Sequence, residues 1–216
     1  MSLRISAQAR LDHRFAATYN HFMAAAERRW ACDIRARLLG GLTGRVLEVG
    51  AGTGINISHY RNAGHVVLVE PWPAMRSQLH QRAARDARVA TTVVDAVVED
   101  LPFPGASFDS VVCTFVLCSV EDSYAALAEI QRVLRPGGTL AFLEHVRGGR
   151  LGSRVQDLLT PVVRRFAAGC HPNRDTEGEI ARAGFTVLQS ETLKPLPVVP
   201  WFAPFITGVA RSAGQP

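Results

Sequence analysis

Hydrophobic and polar positions follow two alternating rhythms along this chain. Short apolar runs recur between residues 45 and 211, and helical spacing of apolar residues fills most of the intervals between them. Buried parallel strands have continuous apolar runs, whereas amphipathic helices repeat every three to four residues. The pattern therefore predicts a doubly wound, mostly parallel α/β sheet. Five strands are clearly marked, at 45–49, 65–70, 91–95, 109–114 and 139–144, and a weaker pair lies at 185–192 and 206–211.

Helices are predicted in the intervals between these strands. The helical spans are 55–62, 73–85, 123–133 and 176–183, and a mixed helical insert covers 151–168. In the third span, Leu127, Ile130 and Leu134 recur at three and four residues, which predicts a stripe facing the core.

The segment before the first strand is also predicted to be helical. Leu11, Phe15, Tyr19 and Phe22 fall on one face of a helix, and 23–39 continues the helical pattern. We expect this segment to cover the sheet as a lid, although core packing of an amphipathic helix would give the same stripe. The predicted organisation is one domain, 1–216: a helical lid and first helix (1–39), a core (40–145) and an acceptor-side region with the last strands (146–216).

Composition narrows the class of protein. With 216 residues, 47% of them apolar, the chain can bury the core of one domain. The apolar stretch 198–210 is broken by Pro200 and Pro204 and is shorter than the roughly 20 residues that cross a bilayer, so we expect no transmembrane segment. The N-terminal pattern does not resemble a secretory signal, which favours a cytoplasmic protein. The chain has a net charge of +5, and its basic residues are scattered along the sequence, which argues against a nucleic-acid partner.

Cysteine spacing offers no local metal motif. The four cysteines stand at positions 32, 113, 118 and 170, without a CxxC pair or a histidine at finger spacing. We therefore expect reduced thiols and no metal site.

A glycine-rich turn follows the first predicted strand. Gly50, Gly52 and Gly54 form a GxGxG pattern, and Ile55 stands where a dinucleotide fingerprint would have its third glycine. Glycine permits positive φ and close approach of the backbone to a ligand. The pattern favours S-adenosylmethionine (SAM) over NAD, while a tight strand-to-helix turn without a ligand is the simpler alternative.

Two acids follow the next two strands. Glu70 ends the second predicted strand and Asp95 ends the third. At the carboxyl edge of an open α/β sheet, one acid can accept hydrogen bonds from ribose hydroxyls and the other from an adenine amino group. Together with the glycine turn, they predict a nucleoside site.

These motifs resemble those of class I SAM-dependent methyltransferases. The matching passages are VLEVGAGTG, VLVEP, DAVVEDLPFPGASFDSVV and EIQRVLRPGGTL, in the order typical of the family. The passages VVCTFVLCSV, GCHPNRDT and LPVVPWFAPFITGVA resemble the methyltransferase-like-7 family of thiol S-methyltransferases and its bacterial relatives. The resemblance implies a seven-stranded Rossmann-like sheet with an N-terminal lid, and SAM as cofactor with S-adenosylhomocysteine as product.

The resemblance also implies roles for individual residues. The glycines and Ala51 would pass close to the methionine part of SAM, and Glu48 would orient its charged end. Glu70 would hold the ribose, Asp95 and Ala96 would contact the adenine, and Thr114 would lie under the cofactor. Pro71, next to Glu70, is also expected among the cofactor-binding residues. The family's lid tyrosine would correspond to Tyr19.

Methyl transfer from a sulfonium needs alignment and exclusion of water more than a catalytic nucleophile. A base matters only when the acceptor must lose a proton. His145, after the fifth strand, and His171 are the candidates, and each has a structural alternative: a bond to a neighbouring carbonyl for His145 and a helix-capping loop for His171. Glu144 is expected either at this edge or as a buried acid bonded to backbone donors.

The predicted activity is SAM-dependent methylation of a small lipophilic nucleophile, with a thiol as the leading acceptor. Alternatives are N-, O- or C-methylation of a lipid head group, quinone or secondary metabolite, and a SAM-binding protein without turnover. The partner is a small-molecule acceptor in the first two readings.

Overall fold

One seven-stranded sheet organises the described part of the chain. The computed structural model describes residues 16–21, 23–167, 169–193 and 204–213. Seven strands have the order β3-β2-β1-β4-β5-β7-β6, in which β7 is antiparallel to both neighbours and the other pairs are parallel. The strands are β1 Gly44–Val49, β2 Ala63–Val69, β3 Ala90–Val94, β4 Phe108–Thr114, β5 Leu134–His145, β6 Phe185–Leu193 and β7 Phe205–Ser212.

Helices cover both faces of this sheet. Residues 16–21 and 23–26 are helical and lead through a π-helical turn, Glu27–Ala31, into the first named helix. Leu11, Phe15 and Phe22 of the predicted stripe lie outside the described residues, so the stripe is described only at Tyr19. The helices are α1 Cys32–Leu39, α2 Pro73–Asp86, α3 Ser123–Val133, α4 Arg150–Phe166 and α5 Thr176–Arg182.

Buried side chains of the strands form one hydrophobic core on each face of the sheet. Along β1, Leu47 contributes to one buried cluster and Val46 to the other. Successive side chains of a strand point to opposite faces, so a strand that is covered on both sides is apolar at nearly every position. This is why the sequence predicts the parallel strands well.

All seven predicted strands are present, but one predicted helix is wrong. In place of a helix over 55–62, the structure has a short 3-10 turn, Ile57–His59. Strand β2 begins at Ala63, and Tyr60 has already turned to an extended conformation (φ −74°, ψ 104°). A helix that continued to residue 62 would leave no chain with which to enter β2.

The end of α3 also differs from its expectation. The chain passes from Val133 directly into β5, so Leu134 of the predicted helical stripe is the first residue of a strand, where it is still buried. Helix α3 begins at an N-cap aspartate, Asp122, whose carboxylate accepts hydrogen bonds from the N–H groups of residues 124 and 125.

No helix in the described ranges has both the length and the apolar composition needed to span a bilayer.

Candidate active site

The carboxyl ends of the parallel strands meet at one edge of the sheet. Strand β1 ends at Val49, which is in register with Val69 of β2 and with Cys113 of β4. The residues that follow these strands are therefore neighbours in space. The edge brings together the predicted glycine turn, Glu70, Thr114 and, at the end of β5, His145.

The glycine turn after β1 has the backbone that its sequence predicts. Gly50 and Gly52 have φ values of 60° and 57°. A Cβ atom on Gly50 would lie 2.5 Å from Cγ2 of Val116, so this glycine is needed for packing. A Cβ on Gly52 would meet only the carbonyl oxygen of Gly50, at 4.0 Å, so its backbone borders open space. A ligand can approach the main chain at Gly52.

Glu70 is held by the turn itself. Its side chain accepts hydrogen bonds from the N–H of Gly52 (2.8 Å) and from the N–H of Trp72 (2.9 Å), and the second of these bonds spans Pro71. Burial raises the pKa of the Glu70 carboxyl, while the two backbone donors oppose that rise. The backbone bonds fix the orientation of the carboxylate beside the glycine turn.

Asp95 lies after β3 in an ion pair that the sequence does not predict. Both of its carboxylate oxygens accept hydrogen bonds from Arg76 of α2, at 2.9 and 2.7 Å, and the Asp95 side chain is 64% exposed. The neighbouring Ala96 packs at the margin of the core. The acid is near the expected place, but its charge is already compensated by an arginine.

Glu48 is completely buried beneath the glycine turn. Its oxygens accept hydrogen bonds from Asn56 Nδ2 (2.9 Å) and from the Tyr60 hydroxyl (2.7 Å). Burial raises the pKa of Glu48 to about 7, although both hydrogen bonds favour the charged form. Glu48 therefore titrates near neutral pH. The side chain of Thr114 accepts a further bond from Asn56, at 3.0 Å.

A small cavity of about 20 Å³ lies at this point of the edge. The half-buried Tyr19 and the buried Arg35 close it from the helical segment before β1. Arg35 donates hydrogen bonds to Glu27, Asn56 and Thr114. The cavity is lined by Tyr19, Arg35, Glu48, Gly50, Ala51, Gly52, Ile55, Asn56 and Thr114.

Arg35 and Asn56 are site residues that the sequence reasoning missed. Arg35 is one of many arginines in the chain and belongs to no motif, and Asn56 falls in the span that was predicted to be helical. The buried contact between them, 2.6 Å from Arg35 Nη1 to Asn56 Oδ1, exists only in three dimensions.

The helical segment is tied to the body by side-chain amides. Asn20 donates to Gln78 of α2 (3.0 Å) and accepts from the Thr53 hydroxyl (2.6 Å), while Gln78 donates to the carbonyl oxygen of Ala16 (2.8 Å). Thr53 belongs to the glycine turn, so these contacts connect the segment directly to the site.

His145 lies at the end of β5 among two thiols and two aromatic rings. Its Nδ1 atom is 3.6 Å from Sγ of Cys118 and 3.6 Å from Sγ of Cys170. The ring centroids of Phe205 and Phe115 lie 4.4 and 5.5 Å from the imidazole centroid. His145 is half-buried and Phe205 is buried, so this end of the edge is a largely apolar cluster with one polar ring.

Glu144 takes the second of its two expected roles. It is fully buried and accepts hydrogen bonds from the N–H groups of Val116, Leu117 and Cys118. Burial raises the pKa of the Glu144 carboxyl against these three donors. It thus holds the turn after β4, which begins at Phe115 with a left-handed φ of 61°.

His171 packs beneath the same turn. Its backbone N–H donates to the carbonyl oxygen of Cys118. Burial, together with the nearby charges of Arg174 and Arg164, lowers the pKa of its imidazole. The N-cap of α5 is Asp175, and Arg174 donates hydrogen bonds to the carbonyls of Leu117 and Val120. The loop thus braces the turn that carries Cys118.

The doubly wound sheet with this edge is the fold of class I methyltransferases. Residues 47–142 match the methyltransferase domain family. The mouse protein named thiol S-methyltransferase TMT1B is 39% identical over 173 residues, which cover 75% of this chain and 70% of the relative. Its human counterpart is 35% identical over 191 residues, covering 84% and 78%. This chain belongs to the family of SAM-dependent methyltransferases that includes these proteins, and it is an enzyme.

A solved structure agrees with the fold. A SAM-dependent methyltransferase from Thermotoga maritima, described as a possible histamine N-methyltransferase, superposes with a TM-score of 0.69 at 23% identity, covering 94% of this chain and 98% of that one. The prediction of a class I methyltransferase from the sequence is confirmed.

Proposed function

We propose that this enzyme methylates a small lipophilic thiol. The observation that carries the proposal is the identity of 33–39% with proteins named thiol S-methyltransferases, over 72–84% of this chain. The aromatic cluster beside His145 supports a lipophilic acceptor. In this cluster Phe115 and Phe205 lie edge to face with 5.7 Å between ring centroids, and the Trp30 ring centroid lies 5.0 Å from that of Phe205.

The residues of the edge fit SAM. Gly52 leaves its backbone open to a ligand, and Glu70 presents a carboxylate that two backbone donors hold in place. Carboxylate oxygens retain lone pairs for ribose hydroxyls after accepting one bond each. We propose Gly50, Ala51, Gly52 and Gly54 for the methionine part, Glu70 and Pro71 for the ribose, and Asp95 and Ala96 for the adenine. SAM, when bound, supplies a methyl group on a positively charged sulfur.

Tyr19, Arg35, Glu48 and Thr114 would contact the amino-acid end of the same molecule. Arg35 suits a carboxylate, because a guanidinium donates hydrogen bonds in a fork that matches two oxygens. Tyr19 and Arg35 line the cavity together with the glycine turn. They would therefore close over this end of the ligand and exclude water from the site.

His145 is proposed to help the acceptor lose its proton, with His171 as a second candidate at the same end. A thiol with a pKa near 8.5 is only a few per cent ionised at neutral pH, so a polar group beside it raises the thiolate fraction. His171 is the weaker candidate because its described contacts brace the Cys118 turn.

We also propose a reducing, cytoplasmic setting. Cys32, Cys113, Cys118 and Cys170 are all free thiols, and the sulfurs of Cys118 and Cys170 are only 3.6 Å apart without being bonded. Free neighbouring thiols are typical of proteins in reducing compartments.

The test is incubation of the enzyme with isotopically labelled SAM and a mixed panel of lipophilic thiols, amines, phenols and quinols, followed by mass analysis of the products. We expect labelled methyl thioethers, and the Glu70→Ala variant should give far less product. Methylation of quinols or phenols with no thioether would overturn the thiol assignment. It would favour the second candidate, methylation of a quinol or phenol. That candidate is suggested by 37% identity over 106 residues, 46% of this chain and 40% of the relative, to the ubiquinone/menaquinone biosynthesis C-methyltransferase UbiE of Vibrio cholerae.

A further inference from the structure

Three possible metal ligands meet at the acceptor end of the site. Cys118 follows β4, His145 ends β5 and Cys170 precedes α5, so the fold brings them together from distant parts of the sequence. The separations Cys118 Sγ–Cys170 Sγ, Cys118 Sγ–His145 Nδ1 and Cys170 Sγ–His145 Nδ1 are each 3.6 Å. The three ligand atoms therefore form a nearly equilateral triangle.

The size of this triangle matches one face of a zinc coordination tetrahedron. Zinc–sulfur bonds of about 2.3 Å and zinc–nitrogen bonds of about 2.0 Å, at tetrahedral angles, place two sulfurs about 3.8 Å apart and sulfur and nitrogen about 3.5 Å apart. A disulfide would instead draw the two sulfurs to about 2.0 Å. Two thiolates and one imidazole are also a ligand set that selects zinc over magnesium or calcium.

The backbone of two of the ligands, Cys118 and His145, is fixed by neighbouring residues. The N–H of Cys118 donates to Glu144 and its carbonyl accepts from the N–H of His171. The carbonyl of His145 accepts from the Thr176 hydroxyl at 3.1 Å. Ligands held in this way lose little freedom on binding a metal, which favours affinity.

Charge also suits a divalent cation. Two thiolates and a neutral imidazole neutralise the two positive charges of zinc, so the complex can be buried without a net charge. Cys118 and Cys170 are buried, whereas His145 is half-buried. Glu144 is already occupied by three backbone donors.

We propose that Cys118, Cys170 and His145 bind one Zn²⁺ ion through their Sγ, Sγ and Nδ1 atoms. In the described part of the chain, no fourth His, Cys, Asp or Glu joins this group. Three protein ligands and one open position are typical of catalytic zinc sites, whereas structural sites have four. The site thus takes a monodentate exogenous ligand, and the apolar rings of Phe115 and Phe205 beside it favour a lipophilic one.

The role of the ion rests on the proposed function. A thiol that enters the open position gives its proton to solvent as its S–H bond breaks, and the sulfur electron pair is donated to zinc. Coordination to zinc deprotonates a thiol at neutral pH. His145 would then promote proton loss by holding the ion. The thiolate sulfur would form a bond to the methyl carbon of SAM as the bond from that carbon to the sulfonium sulfur breaks, and S-adenosylhomocysteine would leave.

The test measures metal directly. Full-length enzyme purified under reducing conditions without chelator should carry about one zinc per chain by elemental analysis. Replacement by Co²⁺ should give thiolate-to-cobalt charge-transfer bands and the visible bands of a tetrahedral ion. Cys118→Ser, Cys170→Ser and His145→Ala should each weaken zinc at least about tenfold in chelator competition, while Cys32→Ser, at an exposed cysteine, should not.

Circular dichroism and S-adenosylhomocysteine binding check that the variants fold. The proposal would be overturned if metal-free wild-type enzyme showed no cobalt bands after Co²⁺ is added. It would also be overturned if intact mass showed a Cys118–Cys170 disulfide in protein that binds no zinc. None of these measurements uses an acceptor. Zinc binding without methylation of thiols would therefore leave the site intact and remove only the thiol assignment.

Discussion

Arg76 joins the two acids of the proposed nucleoside site. Its guanidinium donates to both carboxylate oxygens of Asp95 and, at 2.7 Å, to the backbone carbonyl of Glu70. The ends of β2 and β3 are therefore connected by one side chain from α2. Because Asp95 already has a cationic partner, its hydrogen bond to an adenine amino group would be weaker than that of an unpaired carboxylate. The same ion pair fixes the position of the Asp95 side chain.

Replacing Asp95 by alanine should weaken binding of SAM and S-adenosylhomocysteine about tenfold. Loss of a hydrogen bond to a charged group costs about 1.5–3 kcal/mol, and the Arg76 pair places Asp95 at the low end. Calorimetry measures the change. Asp86→Ala, which breaks another exposed arginine pair, is the control. Unchanged affinity in Asp95→Ala would leave this acid as a partner of Arg76 alone.

Glu70→Ala should have a larger effect on the same affinity, tenfold or more. It removes the proposed ribose acceptor and also leaves the N–H groups of Gly52 and Trp72 without their carboxylate. The glycine turn should loosen as well, so the melting temperature should fall. Calorimetry and thermal unfolding test both effects beside Glu191→Ala, an exposed acid on β6. Wild-type affinity in Glu70→Ala would exclude the ribose assignment.

Glu48 should make stability depend on pH. Its pKa of about 7 in the folded protein lies above the ordinary value of 4.5, so the folded state binds the proton more tightly than the unfolded chain. The associated stability is present below about pH 4.5 and is lost as the pH rises through about 7. The loss is at most about 3 kcal/mol by linkage.

Urea unfolding at pH 5 and pH 8 checks this dependence. Glu48→Gln should flatten the pH dependence relative to wild type, because an amide does not titrate. Glu70 and Glu144 also have raised pKa values, so the difference between variant and wild type isolates Glu48. Identical slopes in the two proteins would show that Glu48 keeps an ordinary pKa.

Freeing the N-terminal segment should reduce turnover more than nucleoside binding. Gln78→Ala removes the contacts to Asn20 and to the carbonyl of Ala16, and deletion of residues 1–22 removes the segment itself. Water would then enter the site during transfer. The steady-state rate should fall while the affinity for S-adenosylhomocysteine changes little. Gln81→Ala, at an exposed glutamine of the same helix, is the control. Full activity in the truncated protein would assign the segment to core packing.

His145→Ala should lower turnover by about 10² to 10⁴ and leave SAM affinity nearly unchanged. A thiol acceptor ionises partly by itself, so the loss of turnover with a thiol should lie at the low end of this range. Higher pH should restore part of the rate. Rates across pH for one thiol and one phenol of similar shape measure this. Parallel profiles of variant and wild type on both acceptors would limit His145 to shaping the pocket.

The sequence predicts what depends on local pattern. Buried strands and the GxGxG turn have local signatures, so their positions and the edge that carries Glu70 could be read directly. Contacts between distant residues could not. Arg35 reaches Thr114 across 79 positions, and Cys170 reaches Cys118 across 52. Metal-ligand spacing in the sequence finds only sites whose ligands share a loop, which is why Cys118, His145 and Cys170 gave no indication of their proximity.

The place of β7 in the sheet has a consequence for synthesis of the chain on the ribosome. Strand β7 lies between β5 and β6 although it comes last in sequence, and Phe205, which packs on His145, is its first residue. Until it emerges, β5 presents an open apolar edge and β6 has no neighbour in the sheet. Nascent chains in which β7 has not yet paired would therefore expose an apolar strand edge, and chaperones that shield such edges should matter most at that stage.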